Sequence, residues 1–391
     1  MRIPARVRNI ELPQFDLIND LAAQWRDRGA DVITLGQALP GFDPPSIAID
    51  ALRQALEEGT ANVYSSDAGL PELRGALAAS LRPLNAEIDA ASEIIITAGG
   101  NQAFQLALTT MIDPGDEVIL LSPYFLNHEM AVRSVAAVPV EAPTQEARSF
   151  QPVWEDVAPH LTPRTRAVVV VSPSNPTGAV ATPEALERIV AECAARDILV
   201  IVDETYLRFP YDSEPFTAAS LPRWRDNVTV VGSFSKAFAI TGWRCGYLLG
   251  NAELIAEAMK IQDCMIICAP VPIQRAVAAV LAAEPEYPAR WLGELRARRD
   301  FVVEALRNVS GIVPVTPSGG FFVMARVQGV NDSRAAALAL IEQQQVVTIP
   351  GAFFGRAGEG YLRISYGAAT RERLSAACGR IAEFLATAQV S

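Results

Sequence analysis

Short apolar runs alternate with longer helical stretches through the middle of this chain. Seven runs of mainly β-branched and aliphatic residues stand out: Ile94–Thr97, Val118–Leu121, Ala136–Val140, Ala167–Val171, Leu199–Val202, Val228–Val231 and Tyr247–Leu249. Most connections between them are long enough to hold a helix. Strands that alternate with helices predict a largely parallel sheet with helices packed on it. The clearest helix runs from Pro183 to Arg196. Thr182 stands at its N-cap, Pro183 in its first turn, and Leu186, Ile189, Val190 and Cys193 recur on one face.

The flanks read differently. Asp16–Arg28 is an amphipathic helix with Ile18, Leu21, Ala22 and Trp25 on one side, followed by a short strand at Asp31–Leu35 and an aperiodic loop from Gly36 to Phe42. Helices are predicted over Pro45–Glu58 and Pro71–Leu81, with an exposed loop from Asn62 to Gly69 between them. Beyond Gly250, helices (Ala252–Gln262, Ile273–Ala283, Arg290–Asn308, Ser333–Gln343, Thr370–Ala386) mix with strand-like pieces (Phe321–Arg326, Val346–Ile349, Tyr361–Ser365). The expected fold is α/β. A large domain, residues 46–275, carries a seven-stranded, mostly parallel sheet flanked by helices, and a smaller α+β domain, 276–391, packs with the segment 1–45. At 391 residues the chain is long enough for two cores.

Composition removes several function classes. A net charge of −11 and the lack of any basic cluster argue against nucleic-acid binding. The N-terminus has no apolar core of signal-peptide length, and no run reaches the roughly 18 residues a membrane span needs, so a cytoplasmic protein is expected. Five cysteines, an odd number, fit reduced thiols. Cys264 and Cys268 have no second Cys or His pair near them, so no metal site is expected and they read as core filler.

In open parallel sheets, ligands sit at the carboxyl ends of strands, and the polar motifs of the sheet region follow the apolar runs directly. After the sixth run come Ser233, Ser235 and Lys236, then Arg244. The 33 basic residues include two lysines, Lys236 and Lys260, which leaves 31 arginines. A lysine that closes a buried strand is poorly hydrated, which lowers its pKa and frees a neutral amine able to form an imine; arginine cannot do this. The plain alternative is a lysine at a loop edge. Serine hydroxyls and a guanidinium suit a phosphate dianion.

The other runs end in equally specific residues. Ala98-Gly99-Gly100-Asn101 follows the first and opens a helix, Gln102–Ile112, where free backbone amides meet an anion well. An ordinary turn would look similar, and the G-x-G-x-x-G spacing of dinucleotide sites is absent. The second run leads into Ser122–His128, with aromatic rings able to lie flat on a planar ligand and one of the chain's two histidines. The fourth leads into Ser172-Pro173-Ser174-Asn175-Pro176-Thr177-Gly178, a loop stiffened around Asn175. The fifth ends in Asp203-Glu204-Thr205-Tyr206. A carboxylate there is costly unless paired, for example with a pyridinium N–H, or unless it caps the next helix. Far downstream Arg363 interrupts the apolar strand Tyr361–Ser365 and needs an anion, either an internal carboxylate or a bound one.

Taken together, these motifs resemble those of the class I and II aminotransferases, pyridoxal-phosphate enzymes of fold type I, from Gly36 to Arg363. The resemblance implies that Lys236 carries the cofactor as a Schiff base and is the catalytic group. It implies that Gly100, Asn101, Ser233, Ser235 and Arg244 hold the phosphate, joined by Tyr64 from a neighbouring subunit of a homodimer with shared active sites. Phe125 would lie on the ring, Asp203 would meet the ring nitrogen with His128 behind it, and Asn175 and Tyr206 would meet the phenolic oxygen. Arg363 would bind the substrate α-carboxylate, with Asn175 beside it and Gln37, Ala38 and Leu39 covering the substrate. Ala38 aligns with a glycine usual in that loop, and Phe125 with a position that is often Trp or Tyr.

The function this implies is transfer of an amino group between an L-amino acid and a 2-oxo acid by a ping-pong mechanism. Leu39, Phe125 and Phe15 point to an apolar or aromatic amino acid. A β-lyase cleaving C–S bonds, or a decarboxylase, would use the same scaffold and the same first steps. An NAD-dependent dehydrogenase is the rival from another class, and the missing glycine fingerprint counts against it.

Overall fold

A computed structural model describes residues 2–388. Its large sheet contains β1 (Ile94–Thr97), β2 (Glu117–Ser122), β3 (Val138–Pro143), β4 (Thr165–Val171), β5 (Leu199–Asp203), β6 (Val228–Ser233) and β7 (Gly246–Leu249). Their order across the sheet is β1-β7-β6-β5-β4-β2-β3. β7 runs antiparallel to both neighbours, and the other pairings are parallel. Because side chains alternate, both faces are buried. Ile94, Ile96, Val168, Val170, Val200 and Val202 enter one apolar cluster, and Ile95, Ala167, Val169 and Ile201 enter another. Each fully buried Val or Ile is worth about 1.5–3 kcal/mol relative to exposure.

All seven runs form strands of this sheet, with one shifted. The third was expected over Ala136–Val140 but occupies Val138–Pro143. Ala136 instead has φ +63 and donates its N–H to Arg133 O, closing the turn after the helix Leu126–Ser134. Two prolines are tolerated in β3 because it is an edge strand with one unpaired side.

A second, antiparallel sheet holds β8 (Ile312–Val315), β9 (Phe322–Val327), β10 (Ile349–Pro350) and β11 (Tyr361–Ser365) in the order β10-β11-β9-β8. The expected strand Val346–Ile349 divides. Val346–Val347 pairs in parallel with Ile33–Thr34, and β10 joins the sheet. The helix Phe15–Asp27 buries Ile18 and Ala22 against Ile341 and Val347. The loop from Gly36 onward therefore leaves a fixed edge and passes over the carboxyl ends of the large sheet. Cys264, expected as core filler, is exposed. No helix of the described residues is long and apolar enough to cross a membrane.

Candidate active site

A cavity of about 490 Å³ opens where these strands end, within the range of small-molecule sites. β6 stops at Ser233, whose hydroxyl accepts the Ser235 N–H (3.2 Å) and starts the single turn Phe234–Ala237. That turn aims Lys236 into the cavity, where Nζ donates to Ala38 O at 2.7 Å. Burial, and then the positive charges of Arg363 and Arg244, push the amine down to about 8. Ala38 is not among the residues with positive φ, so the loop needs no glycine at this position.

β5 delivers Asp203 to the same cavity. Its two oxygens are held separately: Oδ2 lies 3.1 Å from His128 Nε2, and Oδ1 accepts the Thr205 N–H at 2.9 Å. Burial opposes its charge, but the hydrogen bond and charge of His128 and the contacts from Thr205 outweigh it and hold the carboxyl below its ordinary pKa. His128 stacks on Phe104, with ring centroids 4.0 Å apart, and meets the Phe125 ring edge-on at 5.3 Å. Tyr206 lies edge-on to both Phe321 and Phe322, and burial keeps its hydroxyl protonated well past its ordinary range.

Two cationic places face the cavity. At the first, the helix Gly100–Met111 begins after Gly99 without a side-chain cap on its first turn. Gly99 has φ +91, and a Cβ there would drive into the Arg244 guanidinium. Arg244 Nη1 donates to Ser235 Oγ (3.3 Å) and Thr241 O (2.9 Å). Free amides, an arginine and hydroxyls thus converge as a phosphate requires. At the second, Arg363 is 5% exposed. It donates to Asn175 Oδ1 at 2.8 Å and to Gly36 O, lies about 5 Å from the Phe322 and Phe354 rings, and leaves Nε without a partner. Burial lowers its pKa to about 10. Among the described residues no carboxylate pairs with Arg363, unlike the buried Arg299, which has Asp212.

The structure brings Lys236, Asp203, Tyr206, Asn175, Gly100, Asn101, Phe125, Ser233, Ser235, Arg244, Arg363, Gln37, Ala38 and Leu39 around one cavity. Two expected site residues are not on its wall. His128 stands behind Asp203, and Tyr64 is 76% exposed on the surface. Thr205, Thr241, Asn19, Thr34 and Asn127 also line the cavity without having been singled out from sequence. Thr205 and Thr241 lie inside recognised motifs. Nothing in the local pattern marks Asn19, which lies on a helix whose periodicity reveals only its apolar face.

The model of the aminotransferase class I and II family matches residues 30–381. The chain belongs to that family. It is 35% identical to an aspartate aminotransferase of Pyrococcus abyssi, over 95% of this chain and 97% of that one. It is 34% identical to an aromatic-amino-acid aminotransferase of Thermococcus litoralis, over 90% and 92%. Among solved structures, a double mutant of the Thermus thermophilus aspartate aminotransferase superposes with a TM-score of 0.92 at 35% identity, covering 98% of this chain and all of that one. Such relatives favour amino-group transfer over lyase, decarboxylase or dehydrogenase chemistry. The protein is an aminotransferase on the fold-type-I scaffold.

Proposed function

We propose that this aminotransferase works with pyridoxal phosphate and takes L-amino acids with apolar or aromatic side chains, passing their amino group to a 2-oxo acid in a ping-pong cycle. The observation that carries the reading is one cavity that holds an amine of lowered pKa, a buried ionised carboxylate and a buried arginine without an acid. The donor set fits the cofactor. Lys236 would bind its aldehyde, Asp203 its ring nitrogen, Asn175 and Tyr206 its phenolic oxygen, and Phe125 one ring face. The first-turn amides at Gly100 and Asn101 would hold the phosphate with Ser233, Ser235 and Arg244. When bound, the cofactor supplies an electron sink and a temporary carrier for the amino group.

The chain's own residues do the rest. Arg363 clamps the substrate α-carboxylate in the plane set by Asn175, which orients the α-carbon. Lys236 Nζ, poised near neutral pH, moves the proton at that carbon. His128 and the Thr205 N–H keep Asp203 ionised and aimed. Gln37, Ala38 and Leu39 close over the substrate and exclude water.

Substrate class follows from the wall. Its charged side chains are Asp203, Lys236, Arg244 and Arg363, each with a role above, so none remains in this chain for a side-chain carboxylate. Phe15, Ile18, Leu39, Leu126, Val347 and Ile349 supply its apolar part, beside the uncharged Asn19, Thr34 and Asn127. Tyr64, exposed on its loop, is read as a donor to the phosphate of a neighbouring subunit, which makes a homodimer the working unit.

The test is a half-reaction. Leucine or phenylalanine mixed with the purified enzyme is expected to bleach its visible absorbance faster than aspartate does. Lys236→Ala is expected to lack both the band and the reaction. A Lys236→Ala chain with undiminished turnover would end the proposal, and a clear preference for aspartate would end its substrate half.

A further inference from the structure

Gln262 is a polar residue in a core position. It follows Ile255 and Ala258 on the buried face of the helix Ala252–Ile266 and is 0% exposed. Its amide is nevertheless satisfied. Nε2 donates to Ile96 O at 3.1 Å, and Oε1 accepts from Gln102 Nε2 at 2.7 Å. Gln102 in turn accepts the Ala98 N–H on its Oε1, at 2.5 Å.

Each bond touches a group with no other regular partner. β1 ends the sheet, so the outer side of Ile96 has no strand beside it. The Ile96 N–H bonds to Ala68 O at 3.0 Å, and its carbonyl takes Gln262. Gln102 is the third residue of the helix that begins at Gly100, where a glutamine can reach back to an amide ahead of the helix. It takes the N–H of Ala98, one residue before Gly99, and so leaves the amides of the first turn free. The turn Ala98–Asn101 is thereby tied to β1 through two side-chain amides in series.

We infer that Gln262, acting through Gln102, is a positioning residue for the phosphate of the cofactor: it fixes the turn whose backbone amides bind that group. Neither side chain need touch the ligand. A buried amide is suited to the task because it is uncharged and rigidly satisfied, whereas a carboxylate at either place would repel the dianion. The inference rests on the reading that the cavity takes pyridoxal phosphate.

The measurement compares two aldehydes on the full-length chain stripped of cofactor, by fluorescence titration: pyridoxal phosphate, and pyridoxal, which lacks only the phosphate. Gln262→Leu is expected to weaken pyridoxal phosphate binding about tenfold, the worth of a hydrogen-bonded constraint, and to leave pyridoxal binding unchanged. Gln102→Met, at a half-buried position, is expected to show the same selective loss. The double variant is expected to be no worse than either single one, because both cut one chain of bonds. Equal weakening toward both aldehydes, or unchanged pyridoxal phosphate affinity in a folded variant, would overturn the inference. Failure of the parent reading looks different: the unsubstituted chain would then show no preference for pyridoxal phosphate over pyridoxal.

Discussion

Lys236 has its lowered pKa because of where β6 ends. Nζ is surrounded by protein and meets two guanidinium charges, and both effects favour the neutral amine. A base whose pKa falls in the fold stays neutral to lower pH. The rate at which the stripped enzyme captures pyridoxal phosphate is therefore expected to rise about tenfold per pH unit below a midpoint near 8 and to level off above it. Arg363→Leu removes one of the two charges and is expected to move that midpoint upward. A midpoint at the ordinary lysine value of about 10.4 would contradict the account. At this scale the sequence was most legible where a residue broke the logic of its surroundings. Arg363 stands in an apolar strand and Asp203 closes one, so each demanded a partner. Gln262 and Thr205 demanded nothing, since a glutamine on a helix and a threonine after a carboxylate are ordinary until the fold shows what they face. The exposure of Cys264 is hidden for the same reason: spacing along a helix does not say which side the protein covers.

Elements were legible in proportion to how much of their own burial they carry. β1 and β11 match their predicted residues, Ile94–Thr97 and Tyr361–Ser365, because both are fully buried. β8 is not legible in the sequence, since Pro314 lies within it, and its place at the edge of the small sheet is visible only in three dimensions. The run Val346–Ile349 divides at Thr348, fully buried between its pairing with Ile33–Thr34 and the start of β10. Close approach of β7 to the turn Ala98–Asn101 is likewise hidden in the sequence. A Cβ on Gly246 would lie 2.7 Å from Gly232 O and from Gly99 C, and 2.8 Å from Gly100 N, all of them backbone atoms. Gly246→Ala must push β7 away from the turn that Gln102 braces. It is expected to cost about 1–3 kcal/mol, the usual range for overpacking, and to lower the melting temperature and the cofactor affinity together. A variant that melts normally and binds normally would show that β7 has slack the geometry does not suggest.

Tyr64 belongs to the scale of the assembly. Its side chain is 76% exposed, yet its loop is not loosely held. Gln274, fully buried, accepts the Leu70 N–H at 2.7 Å and donates to Ser65 Oγ at 3.3 Å. In the proposed function this exposed tyrosine on a braced loop meets a partner outside its own chain. If that is the phosphate of a second copy, each site takes its lysine from one subunit and its tyrosine from the other. Co-expression of Lys236→Ala chains with Tyr64→Ala chains tests this at limiting cofactor. In a hybrid dimer one site would combine both defects, while the other would pair an intact Lys236 with an intact Tyr64. Random pairing then makes roughly a quarter of all sites fully intact, and the mixture is expected to exceed both parent homodimers at a cofactor level where Tyr64→Ala alone keeps less than about a third of native activity. Were Tyr64 to serve its own subunit, every lysine in the mixture would sit beside a missing tyrosine. The mixture would then reach only half the activity of the Tyr64→Ala homodimer, and the shared site would have to be given up.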